Sequence, residues 1–164
     1  MNRRFVLIVF ICFVCFGCSS KKISDSVKFK NEYEKYNDKY MELEIDYDNI
    51  VKYANKNKIN NIISEGTGVI LIGSPRDNVC RKAVSLLLKV SDSTDLDTIY
   101  YNSNLDGISG LDDIGELNVP VVLFVLDGKI VKYKIGANEE DMDLYNIYLD
   151  GIHEVLQDTC DERC

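Results

Sequence analysis

The sequence predicts an α/β domain with a mixed central sheet and helices on both of its faces. Val69–Ile72 is a short, continuous apolar run rich in branched residues, which is typical of a buried central strand. Apolar residues then recur at helical spacing from Val79 to Val90. Further along, two apolar runs flank Asp127-Gly128, a strong hairpin signal. Strand, helix, strand and hairpin in this order indicate a mixed sheet.

The N-terminus has the layout of a secretory signal. The basic start MNRR precedes the apolar run FVLIVFICFVCF and the segment GCSS. Gly17-Cys18 resembles the end of a bacterial lipoprotein signal, in which the cysteine is lipidated, although Cys15 stands where such signals usually carry an aliphatic residue. An uncleaved signal anchor is the alternative. We therefore expect a chain that is lipid-anchored at the extracytoplasmic face of the cell membrane.

An amphipathic helix is predicted after the signal, because aromatic and aliphatic residues recur there at steps of four and three. These residues are Phe29, Tyr33, Tyr36, Tyr40 and Leu43. Such a stripe favours a packing face over a ligand site. Asp48 or Asn49 could cap a second helix that carries Ile50, Tyr53 and Ala54, and the segment ANKNKINN would interrupt or end it.

The later elements follow in order. TIYY, ending at Tyr101, predicts a second strand, and LDDIGEL predicts a short helical turn. Apolar residues at steps of three and four predict a C-terminal amphipathic helix, and they are Met142, Tyr145, Leu149, Ile152 and Leu156. We divide the chain into a signal peptide (1–17), a tether (18–26), an N-terminal helical extension (27–47), the α/β domain (48–158) and a cysteine-bearing tail (159–164).

Composition argues against several classes of function. The chain carries 27 acidic and 19 basic residues, a net charge of −8, and it has no basic stripe of the kind that nucleic-acid binding needs. It shows no phosphate-binding loop and no Ser/His/Asp set. His153 is its single histidine, which does not favour a metal site. We therefore predict no cofactor and no metal.

The segment LIGSPRDNVCRKA resembles the strand–turn–helix of the thioredoxin-like superfamily, in particular of bacterial thioredoxin-like lipoproteins and bacteriocin transport accessory proteins. In these proteins a Gly-x-Pro segment leads into Cys-x-x-Cys-Arg-Lys. The matching residues here are Gly73, Pro75, Cys80, Arg81 and Lys82. The resemblance covers roughly residues 67–136. It implies a thioredoxin-like fold and descent from thiol–disulfide oxidoreductases, which act in cell redox homeostasis.

The resemblance also assigns a role to Val119-Pro120. This dipeptide matches the loop that carries the family's cis-proline beside the active site. X–Pro bonds are mostly trans, so the resemblance is the ground for expecting a cis bond here. It implies that Val119 and Pro120 shape a substrate groove.

The sequence departs from the family at the nucleophile. Asp77 stands in place of the first cysteine, so the motif is a degenerate Asp-x-x-Cys. A carboxylate can cap the following helix, but it cannot attack a disulfide. Its negative charge should raise the pKa of Cys80. Cys80 is then expected to be an inert packing thiol, and a thiol that senses peroxide or a partner is the alternative.

The cysteines of the tail leave several interpretations open. Once the signal is removed and Cys18 is lipidated, Cys80, Cys160 and Cys164 remain. Cys160 and Cys164 could form a small tail disulfide, a redox couple that docks near Cys80, or two metal ligands. Cys80, Cys160 and Cys164 are thus the redox candidates.

These observations give one main expectation of function and two alternatives. The main expectation is an exported, membrane-tethered thioredoxin-like protein that binds a peptide or protein partner near Asp77 and Pro120 without dithiol turnover. One alternative is a thiol–disulfide oxidoreductase that uses Cys80 with the tail cysteines Cys160 and Cys164. The other is a structural lipoprotein. Fold alone does not distinguish among the three.

Overall fold

A computed structural model describes residues 23–36, 50–94, 96–103 and 119–161, with side chains described up to residue 156. Within these ranges the elements are α1 (Asp25–Glu34), β1 (Val51–Tyr53), α2 (Lys56–Glu65), β2 (Gly68–Ile72), α3 (Asn78–Asp92), β3 (Ile99–Asn102), β4 (Val121–Leu126), β5 (Lys129–Ile135) and α4 (Asp141–Asp161). The signal peptide and the helical turn predicted at LDDIGEL lie outside the described residues. None of the described helices is long and apolar enough to cross a bilayer.

The strands form one five-stranded sheet in the order β1-β3-β2-β4-β5. β1, β3 and β2 are parallel, whereas β4 is antiparallel to β2 and β5 is antiparallel to β4. β2 lies at the centre and all five of its residues are buried. A parallel half followed by an antiparallel hairpin is the thioredoxin-like arrangement, so the predicted fold class is confirmed.

Helices cover both faces of the sheet, as predicted. On one face α2 packs against alternate residues of β2 and β4, and this cluster contains Ile59, Ile62, Ile63, Ile70, Ile72, Val121, Leu123 and Val125. On the other face α1, α3 and α4 pack against the remaining, alternate residues of β2 and β4, which include Val69, Leu71, Val122 and Phe124. The alternation along β2 and β4 follows from the two-residue period of a strand.

The hairpin between β4 and β5 turns at the predicted dipeptide. Asp127 has φ 47° and Gly128 has φ 71°, which are the positive values that a type I′ turn requires. Gly128 also packs against the end of α2, because a Cβ added there would lie 2.4 Å from the Ser64 carbonyl oxygen. Its N–H donates to the Gly66 carbonyl at 2.8 Å. Glycine is therefore required both by conformation and by space.

Two predictions between residues 48 and 65 were wrong. Residues 51–53 form the edge strand β1 rather than part of a helix. The segment ANKNKINN, which was predicted to interrupt or end a helix, begins α2 instead. The Asn55 side chain caps this helix by accepting from Lys58 N at 2.9 Å. The spacing of Ile59, Ile62 and Ile63 outweighs the weak helix propensity of the asparagines, because all three side chains are buried against the sheet.

The C-terminal helix is confirmed, but its buried face is not the predicted one. Met142 is 69% exposed, although the predicted stripe placed it in the core. The side chains that are fully or almost fully buried are Leu144, Tyr148, Ile152 and Val155. Both sets have helical spacing, and they share Ile152. Packing against β4 selects the second set, because Gly151 lets the Phe124 ring approach the helix backbone there.

The predicted aromatic stripe near the N-terminus is a packing face for Phe29 and Tyr33, which are both 0% exposed. Tyr36 is exposed, and Tyr40 and Leu43 lie outside the described residues. Phe29 packs edge-on against Tyr101 of β3 with 4.8 Å between ring centroids. α1 therefore contributes to the same core as the sheet.

α1 also covers the free edge of β1. The Ser26 hydroxyl donates to the Val51 carbonyl at 3.1 Å, and the Asp25 carboxylate accepts from Tyr53 N at 3.2 Å. These side chains satisfy backbone groups that an exposed edge strand would otherwise offer to another chain.

Candidate functional site

The site is built on the loop that joins the central strand β2 to α3. β3 holds this loop in place through two bonds to Gly73. The Gly73 N–H donates to the Asn102 carbonyl at 3.1 Å, and the buried Tyr101 hydroxyl donates to the Gly73 carbonyl at 3.0 Å. The position of the loop is therefore fixed by the neighbouring strand before any ligand binds.

Asp77 is the N-cap of α3, as the sequence predicted. Its backbone is extended, with φ −92° and ψ 130°, and its Oδ1 accepts from Cys80 N at 2.9 Å. An N-cap carboxylate of this kind stabilises a helix by about 1 kcal/mol. Asp77 is thus engaged as a helix cap, through a bond to the backbone of Cys80.

Cys80 lies in the first turn of α3 and is 0% exposed. Its sulfur lies against Gly73, because a Cβ added at Gly73 would be 3.2 Å from the Cys80 Sγ. The same Cβ would be 3.7 Å from the Pro120 Cβ. The Cys80 thiol and the Pro120 ring therefore both pack against the backbone of Gly73, which leaves little room for a side chain there. Cys80 is a free thiol in this structure.

The surroundings of Cys80 raise its pKa to about 11. Burial is the main cause, because it disfavours the thiolate. A backbone hydrogen bond from Ser74 opposes this effect, the Asp77 carboxylate adds to it, and Arg81 opposes it more weakly. The predicted direction is confirmed, but burial outweighs the carboxylate on which the prediction rested. At neutral pH the thiol is protonated and therefore a poor nucleophile.

The Val119-Pro120 peptide bond is cis, as the resemblance implied. Pro120 is buried and Val119 is partly exposed. The Pro120 carbonyl accepts from Gly136 N at 2.8 Å, which ties the proline to the end of β5. Asp77 and Cys80, at the start of α3, and Pro120, at the start of β4, thus occupy the same end of the sheet.

Three buried tyrosines lie beneath the site, and of these the sequence predicted packing only for Tyr33. Tyr33, Tyr101 and Tyr148 are each 0% exposed. Burial raises the pKa of Tyr101 to about 12 and raises the pKa of the other two as well. Among the described residues, the hydroxyls of Tyr33 and Tyr148 have no hydrogen-bond partner. The alternation in TIYY could have placed Tyr101 on the inner face with Ile99.

The basic residues that follow Cys80 make contacts within the protein. The Arg81 guanidinium donates to the Pro75 carbonyl at 3.0 Å and lies 5.4 Å from the Tyr36 ring. Lys82 bonds the Glu139 carbonyl and forms an ion pair with Asp141 at 3.1 Å. These contacts fix the start of α3 against the site loop, the end of α1 and the segment before α4.

The remaining predicted site residues are not brought to the site by the described part of the structure. Cys160 belongs to α4, but its side chain lies outside the described residues, as do Cys18 and Cys164. The pairing of Cys160 with Cys164 therefore stays a prediction. Within the described residues, no group of three His, Cys, Asp or Glu side chains is placed to hold a metal ion.

The chain resembles several solved structures at low sequence identity. No family model matches the chain, and no curated protein matches it. Similar solved structures include thioredoxin from Aeropyrum pernix, at 14% identity and a TM-score of 0.45, covering 63% of this chain and 86% of that chain. The long form of thioredoxin F from spinach chloroplast has 17% identity and a TM-score of 0.46, covering 65% of this chain and 87% of that chain. Oxidised thioredoxin O2 from Arabidopsis thaliana has 16% identity and a TM-score of 0.45, covering 65% of this chain and 93% of that chain.

Proposed function

We propose that this chain is an exported, membrane-tethered thioredoxin-like protein that binds an extended peptide or a protein partner without dithiol turnover. The partner would lie in the groove beside Asp77 and the cis-peptide bond Val119-Pro120. The tether would be a lipid on Cys18. The observation that carries the proposal is the bond from Cys80 N to the Asp77 carboxylate, which puts a helix cap where a nucleophilic thiol would stand.

The state of Cys80 supports a binding role over an exchange role. Disulfide exchange requires an accessible thiolate, and Cys80 is 0% exposed with a pKa of about 11. A second thiol would be needed to resolve a mixed disulfide, and Asp77 does not supply one. The loop geometry is nonetheless kept, because Tyr101 and Asn102 hold Gly73 in place.

The rim of the groove offers groups that an extended chain could use. Ser74 and Pro75 are partly exposed, and Arg76 is exposed. They lie in the loop between Gly73, which is close to both Cys80 and Pro120, and the N-cap Asp77. Such a site has a polar rim and an apolar floor, which is the usual composition of a specific binding site.

Restoring the missing thiol tests the loss of turnover. Wild type, Asp77→Cys and Asp77→Ser would be assayed for reduction of an aromatic disulfide with dithiothreitol as the electron source. We expect turnover above background only for Asp77→Cys, because it alone has two thiols at the start of α3. Asp77→Ser is the matched control, since it keeps a good N-cap and adds no thiol. Turnover by the wild type that Cys80→Ser abolishes would instead support the oxidoreductase that also uses Cys160 and Cys164.

Binding is tested separately with peptides selected from a displayed random library. Amide chemical shifts of the site loop would be followed during titration. We expect shifts at Ser74, Arg76 and Val119, and an unchanged affinity in Cys80→Ser. A protein that selects no peptide and shows no such shifts would contradict the groove proposal and favour a structural lipoprotein.

Lipidation is tested by incorporation of labelled palmitate, which Cys18→Ala should abolish.

A further inference from the structure

Two apolar side chains at the start of α1, those of Ile23 and Val27, are exposed. Ile23 is 66% exposed and Val27 is 40% exposed. Ile23 immediately precedes the N-cap Ser24, and Val27 lies in the first turn with its N–H bonded to the Ser24 hydroxyl at 3.3 Å, so both side chains are at the start of the helix. Phe29 and Tyr33, further along α1, are buried. The fold thus leaves two branched side chains in water at the end of α1 that comes first in the chain.

We propose that Ile23 and Val27 rest in the surface of the membrane that carries the chain, so that the domain is held in one orientation. The inference depends on the lipid on Cys18 that is part of the proposed function. Cys18 precedes Ile23 by five residues, which span at most about 18 Å when fully extended. A lipid at Cys18 would therefore keep this end of α1 within contact distance of the headgroups.

The charges of α1 are compatible with such a contact. Its acidic residues each have a partner within the protein. Asp25 accepts from Tyr53 N at 3.2 Å, Glu32 accepts from the Tyr53 hydroxyl at 2.6 Å, and Glu34 pairs with Lys30 at 3.6 Å. Lys28 is exposed and lies over the Tyr53 ring. Close to Ile23 and Val27 in the chain stand Asp25, which is bonded to the backbone of β1, and the exposed Lys28, and lysine is favoured at the surface of an anionic membrane.

The contact would also set where the binding groove points. The far end of α1 lies beside the site, because the Tyr36 ring is 5.4 Å from the Arg81 guanidinium at the start of α3. The ten residues of α1 separate the two ends by about 15 Å. A domain that rests on the start of α1 would therefore have its groove about 15 Å along the helix from the membrane contact.

Tryptophan fluorescence can test this contact without background, since the chain contains no tryptophan. Ile23→Trp, Val27→Trp and Met142→Trp would each be made in the lipidated chain. Met142 is the matched control, because it is 69% exposed but lies at the start of α4. Each variant would be reconstituted into vesicles of equimolar phosphatidylcholine and phosphatidylglycerol, with and without brominated acyl chains.

We expect emission from Ile23→Trp and Val27→Trp to shift to shorter wavelengths and to be strongly quenched by brominated lipid. Met142→Trp should keep the emission of a tryptophan in water. Equal quenching of all three variants, or of none, in chains that sediment with the vesicles would overturn the inference and leave the tether intact. Chains that remain in the supernatant would show instead that the lipid tether itself is wrong.

Discussion

Asp77 and Cys80 are separated by one helical turn, and the bond between them affects both residues. The Asp77 carboxylate is held by Cys80 N at 2.9 Å, so its role is to end the loop and begin α3. Its negative charge, added to burial, keeps the Cys80 thiol protonated. Asp77 therefore does more than begin α3, since its carboxylate also disfavours the thiolate of Cys80.

The Tyr101 hydroxyl is the group through which the sheet positions the site loop. Tyr101→Phe should leave the Gly73 carbonyl buried without its donor and destabilise the fold by about 1–2 kcal/mol. Because the loop would be held less firmly, we also expect Cys80 to be alkylated faster in native buffer. Urea unfolding and the alkylation rate measure the two effects.

Tyr148→Phe is the control for this change. Its hydroxyl is buried with no partner among the described residues, so removing it should cost nothing or should stabilise the fold slightly. Equal losses in Tyr148→Phe and Tyr101→Phe would show that the bond to Gly73 has no special role.

At the scale of elements, α1 is part of the domain core rather than an appended segment. Phe29 is 0% exposed and packs against Tyr101, which in turn bonds Gly73. Phe29→Ala should therefore destabilise the fold by about 3–5 kcal/mol, measured by urea unfolding. Asn31→Ala, at an exposed position of the same helix, should change stability by less than about 0.5 kcal/mol. A small loss in Phe29→Ala would mean that α1 is dispensable for folding.

The contact between α4 and β4 depends on the absence of a side chain at Gly151. A Cβ there would lie 2.6 Å from the Phe124 ring. Gly151→Ala should therefore destabilise the fold by about 1–3 kcal/mol, although alanine normally favours a helix over glycine by about 1 kcal/mol. Asn146→Ala, at an exposed position of α4, should be neutral or slightly stabilising. A stabilising Gly151→Ala in urea unfolding would contradict the close packing.

The elements also show which structural features the sequence can predict. β2, α3 and the β4–β5 hairpin were predicted from a short run of branched apolar residues, from helical spacing and from an Asp-Gly turn between two apolar runs, respectively. β1 was missed because three residues are too few to distinguish a strand period from a helix period. The buried face of α4 was missed because two stripes had the same spacing, and only contact with Phe124 selects between them.

Some features of the site could also be predicted from the sequence, and others could not. The Asp77 cap and the cis bond before Pro120 followed from residue type and resemblance. The burial of Tyr101 and Tyr148 did not, because it depends on contacts between residues far apart in the chain, such as Phe29 with Tyr101 and Phe124 with Tyr148. The dominance of burial over charge at Cys80 likewise depends on packing that no local pattern records.

For the molecule as a whole, the buried thiol and phenols should lower the free energy of unfolding at alkaline pH. The folded state raises the pKa of Cys80 to about 11 and that of Tyr101 to about 12. The unfolded values are about 8.5 and 10, so the folded state binds more protons between the two pKa values of each group. The stabilisation is therefore full below about pH 8.5 and is lost as pH rises through 11 and then 12.

The urea midpoint should accordingly fall steeply above about pH 8.5. Cys80 should account for on the order of 3 kcal/mol of this loss. Cys80→Ser carries no titrating thiol, so its midpoint should fall less between pH 8.5 and 11. Identical pH dependence in the two proteins would show that the thiol is not held neutral by the fold.

Native thiol trapping, read at the peptide level by mass spectrometry, tests most directly whether Cys80 is an inert thiol or part of a redox couple. Cysteines would be alkylated before and after reduction, so that Cys80, Cys160 and Cys164 are each assigned as free, bridged or protected. We predict that Cys80 is reduced yet unreactive at neutral pH until the protein is unfolded. A disulfide between Cys80 and either tail cysteine that exchanges with added reductant would contradict this prediction and establish a redox couple between the site and the tail.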